Sequence, residues 1–154
     1  MVKKKILLIN PSNPRFNKRL LPPLSLTTIA AYIPQNYDIE IIDNNLEKIN
    51  YDADLVAITI NTYTARIAYE ISEKFIERKI PVILGGNHPT IVPNEAIKHC
   101  TVVVIGDGEL VWKQILKDFE SGRLKKRYKS EVFNFENSKL PRRDLLPNRY
   151  FLES

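Results

Sequence analysis

The chain has 154 residues, 44% of them hydrophobic and 27% charged, which is the size and composition of one globular domain that buries its own core. No apolar run approaches the roughly 18 residues that a membrane span needs, and Ile6–Ile9 is too short for the core of a signal peptide. We therefore expect a cytoplasmic protein that does not enter a membrane. The net charge is +5, but Tyr128 is the only aromatic residue among the basic residues at 123–129, so nucleic acid is not an expected partner.

The first half of the chain alternates strands and helices. Lys5–Ile9 and Leu55–Ile60 are continuous apolar segments, typical of strands that a parallel sheet buries on both faces, and Tyr37–Asp43 alternates like a half-exposed edge strand. Leu24–Ile33 follows a proline and ends before another, as helices do. Thr64–Arg78 carries an apolar stripe at helical spacing and is the clearest helix.

The second half continues the alternation. In the order strand, helix, strand, helix, the predicted segments are Ile80–Leu84, Pro93–Lys98, Val102–Ile105 and Leu110–Glu120. The first of these strands stops at Gly85, Gly86 and a predicted turn over 87–90. Lys126–Ser130 can add an edge strand.

Strand and helix alternate through five rounds with short links, which predicts a doubly wound α/β fold with a five-stranded parallel sheet and helices on both faces. Residues 1–130 are assigned to this domain. The pattern fades beyond it, so residues 131–154 are predicted to form an extended linker or arm.

Polar residues and glycines follow four of the predicted strands, where ligands of open parallel sheets bind. A flavin phosphate cradle needs backbone N–H groups where Pro11 and Pro14 stand. No glycine precedes Gly85, which excludes a dinucleotide motif after the first strand, and no Walker A sequence is present. Asn10 and Asn61 occupy strand ends where a phosphate-accepting receiver domain carries aspartates.

Four segments stand in a characteristic order: Leu21–Leu26 (LPPLSL), Leu84–Thr90 (LGGNHPT), Val104–Glu109 (VIGDGE) and Leu140–Leu146 (LPRRDLL). Together they resemble the N-terminal cobalamin-binding domain of cobalamin-dependent radical S-adenosylmethionine enzymes. The resemblance covers nearly the whole chain. It implies a flavodoxin-like (Rossmann-like) sheet that holds cobalamin in the base-off form, with the dimethylbenzimidazole tail detached from cobalt and lying in a slot at the strand ends.

The resemblance also implies which residues surround this tail. The expected cofactor-binding residues are Ser12, Thr59, Asn61, Thr62, Gly85, Gly86, His88, Gly106, Asp107, Gly108 and Glu109. Gly85 and Gly86 would line the slot because a side chain there would fill it, and the turn after Gly106 would lie near a helix N-terminus that favours the phosphate. Structural alternatives stay open: the glycine pair as a tight turn, His88 as a turn residue and Asp107 as a helix N-cap.

The partner follows from the same resemblance. The loop 10–23 has no histidine where cobalamin proteins of the methionine synthase type carry a cobalt ligand, so no metal ligand is predicted in this chain. Cys100 is the only cysteine, and one cysteine cannot hold an iron–sulfur cluster. We therefore expect the cluster and S-adenosylmethionine in a radical S-adenosylmethionine catalytic domain, in cis downstream or in trans, with methyl transfer as the typical reaction and no catalysis by this chain alone.

Two other functions are compatible with the fold. One is a cofactor-free flavodoxin-like interaction or regulatory domain. The other is a small-molecule transferase that uses the same crevice, although no nucleophile or general base stands out in the sequence.

Overall fold

Six parallel strands form the centre of the domain. The computed structural model describes residues 2–12, 21–131, 136, 138–147 and 150. Among these, the strands are β1 (Lys5–Asn10), β2 (Asp38–Asp43), β3 (Leu55–Thr59), β4 (Val82–Gly85), β5 (Val102–Ile105) and β6 (Arg127–Lys129). They lie in the order β2-β1-β3-β4-β5-β6, which is the flavodoxin-like order with one strand added. The predicted fold class is confirmed.

The middle strands are buried on both faces because their segments are apolar throughout. Ile6–Ile9 of β1 are fully buried, and Leu55–Ile58 of β3 are buried as well. Thr59 pairs with Gly85, so β3 and β4 end at the same level of the sheet. This register places the residues that follow the two strands side by side.

The sheet has six strands, one more than the five predicted, because the additional edge strand allowed for at Lys126–Ser130 forms. Arg127–Lys129 pairs in parallel with β5 and closes that edge of the sheet. Tyr128 is buried, whereas Arg127 and Lys129 are exposed. A three-residue edge strand with a single inward side chain is too short to show an alternating pattern, and exposed basic residues are usual on such edges.

Helices cover both faces of the sheet, as predicted. They are α1 (Leu24–Ala30), α2 (Ala65–Glu77), α3 (Asn87–Ile91), α4 (Pro93–Ala96) and α5 (Trp112–Glu120). Leu26 of α1 and Ile115 of α5 belong to one buried cluster, and Phe75 of α2 and Ala96 of α4 belong to the cluster on the opposite face. Within the described ranges, no helix has both the length and the apolar character needed to cross a membrane.

The segment after β4 differs from its prediction. Residues 87–90, interpreted as a turn from the sequence, begin helix α3. Pro89 is tolerated because it lies in the first helical turn, where backbone N–H groups have no intrahelical acceptor. His88 is therefore a helical residue and not a turn residue.

The described part of the C-terminal region lies against the domain. The Arg142 backbone N–H donates to the Thr27 carbonyl at 2.8 Å, and the Lys139 N–H donates to the Tyr32 hydroxyl at 3.1 Å. Leu146 is 6% exposed and belongs to the cluster that contains α1 and α5. Residues 138–147 thus pack on α1, while the domain boundary at 130 and the role of 131–154 as a linker stay predictions.

Candidate functional site

A cavity of about 280 Å³ opens at the carboxyl ends of β3, β4 and β5, beneath α1 and the start of α5. Four glycines line it, and we call it the glycine cavity. Its complete lining is Ser25, Leu26, Ile29, Ala57, Ile58, Thr59, Ile83, Gly85, Gly86, Asn87, Thr90, Val104, Gly106, Asp107, Gly108, Glu109 and Trp112. An apolar floor of strand side chains with a few polar groups above it is the usual composition of a small-molecule site.

Gly85 leaves space that a side chain could occupy. A β-carbon at this position would have the Val104 Cβ as its nearest neighbour, at 3.8 Å, which is an ordinary contact. The backbone of Gly85 does not have a positive φ, so the fold does not require glycine here. The missing side chain therefore enlarges the cavity without serving the backbone.

Gly86 is glycine for a different reason. Its φ is 109°, and a β-carbon there would lie 2.7 Å from the Ile60 carbonyl oxygen. Side chains are strongly disfavoured in this backbone region, and the contact is shorter than packing allows. The expectation that a missing side chain keeps the slot open therefore applies to Gly85. At Gly86, the backbone conformation itself requires a glycine.

Thr90 connects the two glycine turns. Its hydroxyl donates to the Gly86 carbonyl at 2.8 Å and accepts from the Gly106 N–H at 3.1 Å. Gly106 has a φ of 88°, and a β-carbon on it would collide with the Ser130 hydroxyl. The ends of β4 and β5 are thus held together by one side chain of α3.

The turn after β5 carries the negative charge of the cavity. A β-carbon on Gly108 would lie 2.8 Å from the Ile29 Cδ1 atom, so the missing side chain lets α1 approach this turn. Asp107 makes no capping hydrogen bond, and α5 begins only at Trp112, so the interpretation of Asp107 as a helix N-cap is wrong. The lining includes two acidic residues, Asp107 and Glu109, and no lysine or arginine, which makes this side of the cavity unfavourable for a phosphate.

The structure brings most of the predicted site residues together. Those in the glycine cavity are Thr59, Gly85, Gly86, Gly106, Asp107, Gly108 and Glu109. Those outside its lining are Ser12, Asn61, Thr62 and His88. Contact of any of them with a cofactor stays a prediction.

Two of the outlying residues serve local structure. The Asn61 side chain accepts from the Thr64 N–H at 3.0 Å, and the Thr64 hydroxyl accepts from the Asn61 N–H at 3.2 Å. This reciprocal capping box starts the turn that leads into α2. Ser12 follows β1, where its hydroxyl accepts from Asn44 at 3.4 Å.

His88 and Thr62 lie in a shallow groove on the opposite face of the sheet. We call it the histidine groove; its lining is Thr62, Ala65, Arg66, Tyr69, Glu70, Glu73, His88, Glu95 and His99. His88 Nε2 lies 3.2 Å from both the Tyr69 hydroxyl and Glu95 Oε1, and Tyr69 donates to the same carboxylate at 3.0 Å. These bonds lower the pKa of Glu95, the bond from His88 most of all. In the part of the chain that the structure describes, no group of three or more metal-ligating side chains is arranged to hold a metal ion.

Several lining residues were missed from the sequence. Ser25, Asn87 and Thr90 lie inside segments that had been singled out, but the interpretation of 87–90 as a turn hid which side chains face the cavity. Trp112 also lines the cavity, and an apolar residue near the start of a predicted helix gives no signal that separates a cavity residue from a packing residue.

Comparison with known proteins decides between the ligand classes. Residues 18–116 match the family described as the B12 binding domain. The chain belongs to the B12-binding domain family. This finding confirms the resemblance to a cobalamin-binding domain and favours a cobalamin-binding function over the cofactor-free module.

The chain is also similar to parts of larger proteins. It is 38% identical over 120 residues to bacteriochlorophyllide d C-8(2)-methyltransferase of Chlorobaculum tepidum, a match that covers 76% of this chain and 27% of that protein. The C-12(1)-methyltransferase of the same organism is 35% identical over 112 residues, covering 70% and 25%. An uncharacterized methyltransferase of Pyrococcus horikoshii is 31% identical over 138 residues, covering 77% and 30%. The chain thus corresponds to between a quarter and a third of each relative's length.

Proposed function

We propose that this B12-binding domain holds cobalamin in the base-off form, with the base and ribose of the nucleotide tail in the glycine cavity and the phosphate outside it, and positions the corrin for a radical S-adenosylmethionine methyltransferase domain in the cytoplasm. The observation that carries the proposal is the open, apolar-floored cavity beside Gly85 at the strand ends of a chain from this family.

The cavity fits part of cobalamin. Its volume of about 280 Å³ is near the lower limit of ligand pockets, which run from about 300 to 1,000 Å³. A flat heterocycle with its sugar suits this space, whereas the corrin does not and would lie outside the mouth. Ala57, Ile83 and Val104 offer the apolar floor that an aromatic base requires.

The positions of the two histidines support the proposal that no residue of this chain coordinates the cobalt. The chain has two, His88 and His99, and both line the histidine groove on the far face of the sheet. Neither lines the cavity. When bound, the corrinoid supplies the cobalt chemistry, and the residues of this chain bind its tail, orient it and exclude water from it.

The catalytic partner domain is inferred from two observations: the relatives are much longer than this chain, and the chain has too few cysteines for an iron–sulfur cluster. Three relatives are named as methyltransferases, and the chain corresponds to at most 30% of their lengths. With one cysteine it cannot hold an iron–sulfur cluster, so we assign the cluster and S-adenosylmethionine to a separate catalytic domain. A C-x-x-x-C-x-x-C motif is expected in that domain, and a catalytic domain without it would overturn this part of the proposal.

Titration of the purified chain with hydroxocobalamin tests the binding. We expect saturable binding with a dissociation constant of about 1–10 μM, and corrin absorption bands that move to the base-off positions. Flavin mononucleotide is the control ligand, since the proline-rich loop after β1 cannot form its phosphate cradle. A folded protein that shows no binding at about 100 μM cobalamin would overturn the proposal. Saturable binding with base-on bands would overturn the base-off state alone.

A further inference from the structure

Trp112 lies at the edge of the glycine cavity with almost all of its surface buried. It is the first residue of α5, it is 2% exposed and it lines the cavity. The Nε1 and Cδ1 atoms of its indole face Gly108, at 3.6 and 3.7 Å from the position of a β-carbon there. The polar edge of the ring thus points toward another lining residue.

The indole N–H has no acceptor among the described residues. The Trp112 side chain forms no hydrogen bond with any of these residues, although buried indole N–H groups usually find a partner. All fully buried side-chain nitrogen and oxygen atoms of the described residues have partners. The Nε1 atom therefore keeps some accessible surface, and Trp112 lines the glycine cavity, where a ligand atom can accept its hydrogen bond.

The surroundings select the kind of acceptor. Asp107 and Glu109 line the same cavity and repel an anionic group, whereas Ile29 and Val104 surround the space with apolar surface. An uncharged acceptor on a flat or sugar-like group, such as a heterocyclic nitrogen or a ribose oxygen, suits this environment.

We propose that the Trp112 indole N–H donates to an uncharged acceptor of the cobalamin nucleotide tail, and thereby selects corrinoids that carry this tail over those that lack it. This inference rests on the proposed function. It makes Trp112 a specificity-determining residue rather than a packing residue. A donor that is already held in place by burial loses little freedom when the ligand binds, so its bond contributes to affinity.

The test compares cobalamin with cobinamide, a corrinoid without the nucleotide, on the wild type and on Trp112→Phe. The substitution keeps an aromatic ring and removes the N–H. We expect about a tenfold loss of cobalamin affinity, the effect of one buried hydrogen bond, and no change in cobinamide affinity. Equal cobalamin affinity in both proteins, or an equal loss for both ligands, would overturn the inference. A wild type that binds no cobalamin would instead overturn the proposed function.

A second measurement does not depend on the folding of the variant. The chain has one tryptophan, so a ¹⁵N–¹H spectrum of the wild-type protein shows one indole N–H signal. We expect cobalamin to shift this signal downfield, as a new hydrogen bond does, and cobinamide to leave it in place. The same shift with both corrinoids, or none with cobalamin, would overturn the inference.

Discussion

The glycine cavity and the histidine groove lie on opposite faces of the sheet, and they differ in how their polar groups are paired. In the histidine groove, His88, Tyr69 and Glu95 bond to one another, and His99 Nδ1 lies 2.9 Å from a Glu73 oxygen. The Tyr69 and His99 rings also stack, with centroids 4.1 Å apart. These side chains make their hydrogen bonds to one another and thereby stabilise the fold.

In the glycine cavity the Thr90 hydroxyl is bonded within the fold, but three other polar side chains are not bonded to any residue that the structure describes. The side chains of Ser25, Thr59 and Asn87 line it, and within the described residues they make no hydrogen bonds to other groups. Polar groups that face a partly enclosed space above an apolar floor are available to a ligand. The difference explains why the two histidines do not mark the candidate site, whereas glycines and small polar residues do.

The largest expected effect comes from filling the glycine cavity. Gly85→Leu directs a side chain into the cavity: its β-carbon would have only the Val104 Cβ within 4 Å, at 3.8 Å, and the backbone of Gly85 has no positive φ. We expect the loss of cobalamin binding by about 100-fold or more, since the side chain occupies the place of the ligand. Absorbance titration measures the affinity, and circular dichroism checks that the protein is folded.

Glu70→Leu is the matched control in the histidine groove. The Glu70 side chain is 57% exposed, and the substitution adds a leucine to the groove without touching the cavity. We expect cobalamin affinity within about twofold of the wild type. Loss of binding in this variant, with binding retained in Gly85→Leu, would reverse the assignment of the two regions.

How far the sequence predicts this fold depends on the length of each pattern. The apolar runs of β1, β3, β4 and β5 are long enough to identify buried strands, and the stripe of α2 identifies its buried face. Strand β6 has one inward side chain and α3 has five residues, too few for either period to show. Short elements are decided by their neighbours: β5 offers β6 an edge to pair with, and Gly86 allows α3 to start.

The candidate site could be predicted from the sequence at positions where the residue type alone determines the local geometry. Gly85, Gly86, Gly106 and Gly108 are informative because their missing side chains can be recognised in the sequence. The direction of a side chain cannot be recognised in this way. His88 and Asn87 are adjacent in α3, yet one lines the histidine groove and the other the glycine cavity.

A substitution at Gly86 is expected to lower the stability of the fold through its effect on the backbone. Gly86→Ala forces a β-carbon to 2.7 Å from the Ile60 carbonyl oxygen at a φ of 109°, so we expect a loss of about 3 kcal/mol in the free energy of unfolding. Gly122→Ala is the control, because Gly122 also has a positive φ, 66°, but no atom within 4 Å of a β-carbon. It should cost about 1 kcal/mol. Urea denaturation measures both, and equal losses would contradict the close contact at Gly86.

The smallest effect tests the histidine groove through pH. Hydrogen bonds from His88 and Tyr69 hold the pKa of Glu95 below its ordinary value of 4.5, so the ionised carboxylate stabilises the folded state above that pH. We expect Glu95→Gln to be slightly less stable than the wild type at neutral pH. This difference should shrink as the pH falls below 4.5 and through the lower pKa of the folded state, because the wild-type carboxylate then becomes protonated too. Urea denaturation at a series of pH values measures it.

Cobalamin affinity gives the same variant a second use. Among the described residues, the Glu95 side chain bonds only His88 and Tyr69 of the histidine groove. Helix α3 keeps its link to the cavity through the Thr90 hydroxyl, which bonds both Gly86 and Gly106. Affinity at neutral pH should therefore stay within about twofold of the wild type. A tenfold loss would mean that the bond between Glu95 and His88 sets the position of α3, and that the two regions act as one site.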